Sequence, residues 1–269
     1  MIISYNIYAN DTPPKYPWHL ADIWWHLYDQ KSIETLSVDF AISGQIDSSI
    51  NLYIAPIGLT TINGISCYGG IQTNVNARQA KYSKNYLNLG FGGLFSRWSK
   101  NNQPISFDFA EGDENTYYES AGYEGEFIGV RKAFNWSEGK YTYTLSQDIT
   151  LQEQGYIWLK AAVFDHQTQN EYIIGSLKFE GNQIILGDFI SAFYEIYANG
   201  NIPDISVQFD DPKINGQTVN IRNIEVNYPD NDYKRSPIPR FSTAQRKQKS
   251  ILLNSIPAGL YDEKHSENY

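Results

Sequence analysis

Between Ile33 and about Tyr228 the chain repeats one theme, and that theme narrows the fold more than any other feature. Runs of roughly four to eight residues with alternating or β-rich content are separated by Gly, Asn, Asp and Pro. TLSVDFAISG, INLYIAPIG, YGGIQTN, GLFSRW, ISFDFA, EFIGVRKAF, KYTYTLSQDI, YIWLKAAVFD, YIIGSLKF, FISAFYEIYA, ISVQFD and VNIRNIEVNY are the instances. Such spacing, with hardly any helical periodicity, predicts an all-β antiparallel sandwich or barrel. Glu138-Gly139, Glu180-Gly181-Asn182 and Asn215-Gly216 read as hairpin turns, because Gly and Asn tolerate positive φ. No fixed-period repeat is visible, which argues against a propeller or solenoid.

Composition supports that frame and removes some function classes. The chain has 269 residues, 41% of them hydrophobic, enough for one sizeable core. Aromatic residues make up 15%, a bias toward half-buried pleated surfaces. A net charge of −9 repels nucleic acid and anionic membrane, so neither is an expected partner. The single cysteine, Cys67, cannot form an intramolecular disulfide. The first residues, MIISYNIYANDTPPKYPW, show no basic n-region or apolar h-region, so the sequence reads slightly in favour of the cytoplasm.

The two ends differ from the middle. Residues 1–32 hold TPPKYPW and then HLADIWWHLYDQ, where Leu20, Ile23, Trp24 and Leu27 recur at helical spacing. The expectation is a short helix or turn, an aromatic cap on a sandwich spanning 33–228. Residues 229–269 carry Lys234, Arg235, Arg240, Arg246, Lys247 and Lys249, with no acidic residue from Tyr233 until Asp262. This reads as an extended basic arm that docks on its own domain, joins a homo-oligomer or meets a polyanion.

Alternation assigns faces within the middle region. Ile157, Leu159, Ala161 and Val163 form an apolar side, opposite Tyr156, Trp158, Lys160, Phe164 and His166. In YGGIQTN the same logic groups Tyr68, Gly70 and Gln72. Gly69-Gly70 inside a strand suggests a bulge or a close approach by a ligand or another backbone. Glu126 alternates with Ile128 and Val130, and Arg97 with Phe95. Tyr and Trp with interspersed Gln, Lys, Glu and His suit a sugar, whose C–H faces stack on rings while its hydroxyls need polar partners. The competing expectation is that the termini cover this aromatic face.

Tyr68-Gly69-Gly70-Ile71-Gln72, Leu94-Phe95-Ser96-Arg97-Trp98, Gly125-Glu126 and Trp136-x-x-Gly139-x-Tyr141 together resemble an uncharacterised family. Its signature is Tyr-x-Gly-hydrophobic-Gln and Phe-Ser-x-Trp, and the similarity spans about residues 36 to 228. The resemblance implies a concanavalin-like jelly roll associated with carbohydrate modules, and it carries no catalytic residues. Ser99 stands where that family usually has an acidic residue. The stretch from Trp158 to Gln167 also looks like the Tyr-Phe-Lys-Ala-Gly-x-Tyr strand of jelly-roll alginate lyases, although that family's Arg-x-Glu-Leu-Arg and Gln-hydrophobic-His motifs are missing. In that alternative His166, Tyr68, Gln72 and Arg97 would serve β-elimination.

Metal chemistry has little footing: the four histidines form no zinc pattern, and no metal site or other cofactor is expected. Asp108 to Glu114 could offer oxygens to Ca²⁺ but lacks EF-hand spacing. The leading expectation is non-catalytic recognition of a carbohydrate or small polar ligand through Tyr68, Gln72, Arg97, Glu126, Trp158, Lys160 and His166. A carbohydrate-active enzyme and an assembly protein using the C-terminal arm are the alternatives.

Overall fold

The computed structural model describes residues 19–47, 49–122, 125–196, 202–229, 238–262 and 264–269. In chain order the strands begin with β1 (His19–Leu27), β2 (Lys31–Ile33), β3 (Thr35–Ser43), β4 (Leu52–Ile62) and β5 (Ile65–Arg78). Next come β6 (Tyr86–Trp98), β7 (Ala110–Glu111), β8 (Thr116–Gly122), β9 (Gly125–Ala133) and β10 (Gly139–Gln147). They continue with β11 (Tyr156–Asp165), β12 (Asn170–Glu180), β13 (Ile184–Ile196), β14 (Ser206–Asp210) and β15 (Lys213–Ile214). The last are β16 (Gln217–Thr218), β17 (Ile221–Asn227), β18 (Ile238–Lys247), β19 (Ser250–Asp262) and β20 (Ser266–Asn268). Among the described residues the only helical pieces are two 3-10 turns, Lys100–Asn102 and Phe107–Phe109.

Two ten-stranded antiparallel sheets result, consistent with a β-sandwich. The first runs β20-β17-β1-β13-β4-β5-β6-β9-β8 with β2 beside β13, and the second β18-β19-β14-β3-β10-β11-β12-β7 with β15 and β16 attached to β3. Between them lies one continuous core. Leu36, Val38 and Phe40 of β3, Tyr141 and Tyr143 of β10, and Leu159 and Val163 of β11 meet Ile54, Ile71, Phe95, Val130 and Tyr194 of the first sheet. Phe95 stacks on Phe179 with ring centroids 6.4 Å apart.

Hydrogen bonds also cross this layer. The Tyr143 hydroxyl donates to the Leu94 carbonyl (2.9 Å), and the Trp136 indole donates to the Gln72 carbonyl (3.2 Å). These bonds cap backbone or side-chain groups that would otherwise be buried unpaired. Gly69 is explained by the first of them: a Cβ there would lie 1.9 Å from Tyr143 Oη. At Gly70 a Cβ would lie 2.1 Å from the Ile54 carbonyl oxygen, where β4 carries a bulge against β5. The double glycine therefore admits a tyrosine from the facing sheet and a neighbouring backbone.

Several expectations need correction. The N-terminal segment from His19 is a strand: Ile23, Trp25 and Leu27 face the core while Asp22, Trp24 and His26 face outward. A bulge between His19 and Ala21 shifts the alternation, so that adjacent Leu20 and Ala21 are both buried, and this imitated a helical period. The cap's first 18 residues lie outside the described part. The C-terminal segment is no extended arm either. Within it β18 and β19 form a hairpin on the second sheet through β14, and β20 pairs with β17 in the first. Arg246 grips Asp211 with two bonds (2.5 and 2.7 Å), and Arg240 answers Asp262 (3.1 Å) and Glu267 (3.5 Å). Lys234 and Arg235 lie outside the described residues. The expected strand ISFDFA is mostly the 3-10 turn at Phe107. Glu138-Gly139 belongs to a crossover between sheets, since β9 pairs in the first and β10 in the second. Asn215-Gly216, with φ of 50° and 76°, does turn β15 into β16.

If the Tyr143 contact fixes Gly69, Gly69→Ala should cost at least ~1–3 kcal/mol as overpacking. Adding Tyr143→Phe should recover part of that loss. Urea denaturation of both variants measures it, and an unchanged midpoint in Gly69→Ala would contradict the packing account.

Candidate functional site

The outer face of the first sheet holds an unusual concentration of polar groups. Registers place His19 opposite Glu195, Glu195 opposite Tyr53, and Tyr53 opposite Gln72, giving one row across four strands. A neighbouring cluster of Tyr53, Ala55, Tyr68, Leu94 and Phe193, with Trp98 against it, is separate from the main core. Tyr68 and Trp98 rings lie 5.0 Å apart, and Tyr53 meets Phe193 edge-on at 5.5 Å.

Charges sit inside this cluster. His19 Nδ1 contacts Asp22 (2.5 Å) and its Nε2 contacts Glu195. Burial works against the imidazolium, but the two carboxylates outweigh it and raise the His19 pKa well above its usual 6.5. Arg131 pairs with Glu119 (2.5 Å) and donates to Ser96 Oγ (2.9 Å). Gly129 makes room for it, since a Cβ there would lie 2.4 Å from the guanidinium. The Tyr53 hydroxyl has no hydrogen-bond partner among the described residues. Burial, with Tyr68, Tyr143 and Glu195 adding to it, raises its pKa well above that of a free phenol.

This part of the face is closed. Tyr53 is 1% exposed, Tyr68 3% and Gln72 8%. The Gln72 amide donates to Asn51 Oδ1 (3.1 Å).

The other sequence-derived residues lie elsewhere. Arg97 alternates with Phe95 toward the interior, fully buried over the Phe179 ring at 4.7 Å. It donates to the Lys178 carbonyl and Glu180 (3.3 Å), linking the first sheet to β12 of the second. Beside it, burial pushes the Cys67 thiol up to about 12, against the opposing pull of Arg97, which leaves the thiol unreactive. Glu126 is at the end of β9, on the side opposite Tyr68 and Gln72, where its backbone N–H donates to Asn102 (3.0 Å).

Trp158, Lys160 and His166 belong to the second sheet's β11 and the turn after it. Trp158 is 5% exposed, with the Lys178 ammonium 5.3 Å from its ring. Lys178 is also over Phe109 and Tyr156, and it pairs with Glu153 (2.9 Å). His166 Nε2 is 2.8 Å from the Thr142 hydroxyl, which donates to Asp39 (2.6 Å). With that hydroxyl proton given to a carboxylate, the imidazole donates to the oxygen. His166 is thus not placed to take a proton from Thr142. Lys213 and Thr142 hold Asp39 below the usual carboxylate range despite burial. The seven predicted residues therefore do not converge: Tyr68 and Gln72 share one closed face, and Arg97 is inside.

In the acidic loop, Asp113 binds Lys132, which with the Asn115 and Thr116 bonds lowers its pKa against slight burial. Glu111 meets Lys81 (3.3 Å), and Asp108 bonds to Ser106 (3.0 Å). These carboxylates point to separate partners, and among the described residues no group of three His, Cys, Asp or Glu is arranged to hold a metal.

Moving along β1 and β13, the outer face of the first sheet becomes accessible. Trp24 and Phe189 are half-buried, with ring centroids 5.6 Å apart. His26 stands directly opposite Phe189 and lies 3.8 Å from Glu225, with Asn223 opposite His26 on β17. The sequence reading missed this patch because the helical assignment put Trp24 among packing residues. The alternation of Asp22, Trp24 and His26 was the available signal. No family model matches the chain, and no curated protein matches it.

The His19 contacts imply a pH dependence with a definite sign. A histidine whose folded pKa is raised contributes stability in full below its unfolded value of ~6.5 and loses it as pH rises through the folded value. His19→Gln should therefore lower Tm most near pH 6, and the gap from the parent should narrow at alkaline pH. Thermal melts across pH check this; a gap independent of pH would contradict it.

Proposed function

We propose that the protein binds a saccharide-like polar ligand without transforming it, on the accessible part of the first sheet's outer face. The observation that carries this reading is the half-exposed Trp24–Phe189 pair on the outer face of β1 and β13, flanked by His26, Glu225 and Asn223. Two rings side by side offer a platform for the C–H face of a pyranose, and an imidazole, a carboxylate and an amide offer partners for its hydroxyls. Placement on strands favours this role, because strand-borne side chains are held more firmly than loop-borne ones. The two-sheet architecture agrees with a concanavalin-like jelly roll, which is the finer topology we propose for it.

Recognition is favoured over the lyase alternative because the groups that alternative needs do not meet: His166 follows a strand of the second sheet, whereas Tyr68 and Gln72 are on the first and Arg97 is buried in the interior. β-Elimination needs its base and its carboxylate-neutralising donors at one site. Assembly through a basic arm is disfavoured, since Arg240 and Arg246 already pair with carboxylates of their own chain.

Thermal shift against a panel of mono- and oligosaccharides tests the proposal. A ligand at a hundredfold excess over Kd adds ~2.7 kcal/mol, a Tm rise of ~5–10 °C for a chain of this size. For at least one sugar, Trp24→Ala and Phe189→Ala should abolish that rise, whereas Trp158→Ala should leave it intact. No rise with any sugar, or rises that are all indifferent to Trp24→Ala, would sink the proposal.

A further inference from the structure

A concavity lies at the end of the first sheet, where the turn of Asn63 and Gly64 meets the link from β12 to β13. It is a cleft of about 370 Å³ whose walls include Gln30, Thr61, Asn63, Glu180, Asn182 and Gln183. Its size falls within the ~300–1,000 Å³ of small-molecule sites.

The floor is rigid. Asn63 Nδ2 donates to the carbonyls of Glu180 (2.7 Å) and Gln183 (3.1 Å), and Asn63 Oδ1 accepts from the Ile185 N–H (2.8 Å). One amide thus clamps two turns together. Asn63 and Gly64 adopt φ of 53° and 76°, the left-handed pair that closes a tight hairpin. Gly181 supports the clamp, because a Cβ there would lie 2.6 Å from Asn63 Nδ2.

The walls are chemically free. The side chains of Gln30, Asn182 and Gln183 form no hydrogen bond with any described residue. Each amide supplies both donors and an acceptor, and so does the ring of hydroxyls on a sugar. Neither Lys nor Arg lines the cleft, and its one charge is the Glu180 carboxylate, itself paired with Arg97. An anionic ligand would meet that carboxylate with no cation exposed to offset it.

We infer that this amide-walled cleft is a binding site for a neutral polyhydroxylated ligand, of the size of a mono- or disaccharide. It is separate from the aromatic patch at Trp24, although Gly187 of the cleft stands only two residues from Phe189 on β13. The ligand's hydroxyls exchange bonds with Gln30, Asn182 and Gln183, while the Asn63 clamp keeps the floor fixed.

NMR of the full chain tests the site, following the side-chain NH₂ signals of Gln30, Asn182 and Gln183 during titration. The probes are glucose, galactose, mannose, N-acetylglucosamine and cellobiose, with glucuronate as the anionic control. At least one neutral sugar should shift these signals saturably, and glucuronate should not. Asn182→Ala combined with Gln183→Ala should weaken that binding about tenfold or more, as loss of about two neutral hydrogen bonds predicts. Trp24→Ala should leave it unchanged, so failure here and failure of the aromatic-patch proposal are told apart. Absence of shifts with every neutral sugar, or equal binding of glucuronate, would overturn the inference.

Discussion

The layer between the two sheets takes one face of nearly every long strand, and the polar atoms that cross it decide which residues are left for function. Tyr143 reaches over Gly69 to the Leu94 carbonyl, and Arg97 spans from β6 to β12. A buried guanidinium is tolerable only because Glu180 and a carbonyl answer it and Phe179 lies beneath it. Both contacts hold the sheets at a fixed separation, and both remove chemically attractive side chains from any binding role.

The outer faces are then unequal. On the first sheet Glu195, Tyr53 and Gln72 are buried; Glu195 pairs with His19 and Gln72 with Asn51, while the Tyr53 hydroxyl has no hydrogen-bond partner among the described residues. Two and three strands away from Tyr68 the same face presents Phe189 and Trp24 half-exposed. On the second sheet, Lys178 fills the space among Phe109, Tyr156 and Trp158, so that aromatic group already holds a cation. Around the β1–β13 end and the neighbouring turns, half-exposed aromatic surface and exposed amides lie close together.

Much of the fold was legible in the sequence, because a period of two with Gly and Asn punctuation leaves few alternatives to antiparallel strands. YGGIQTN and GLFSRW do pair, with Tyr68 opposite Ser96 and Gln72 opposite Gly92. Face assignment within each strand was legible as well: Arg97 goes with Phe95, and Gln72 with Tyr68. Sheet membership was not, since alternation says which residues share a side but not which strand is the neighbour. Trp158 and His166 were grouped with Gln72 for that reason. At β1 a one-residue bulge displaced the pattern enough to imitate a helix. The Gly-Gly step was a real signal of close approach, but what approaches is Tyr143 and the β4 backbone rather than a ligand.

A crystal structure of the complex with a sugar whose thermal shift Trp24→Ala removes locates the ligand. The pyranose ring should stack on Trp24 beside Phe189, with hydroxyls bonded to Glu225, His26 or Asn223. A ring bound instead against Tyr68 and Gln72, or over Trp158 on the second sheet, would contradict this placement.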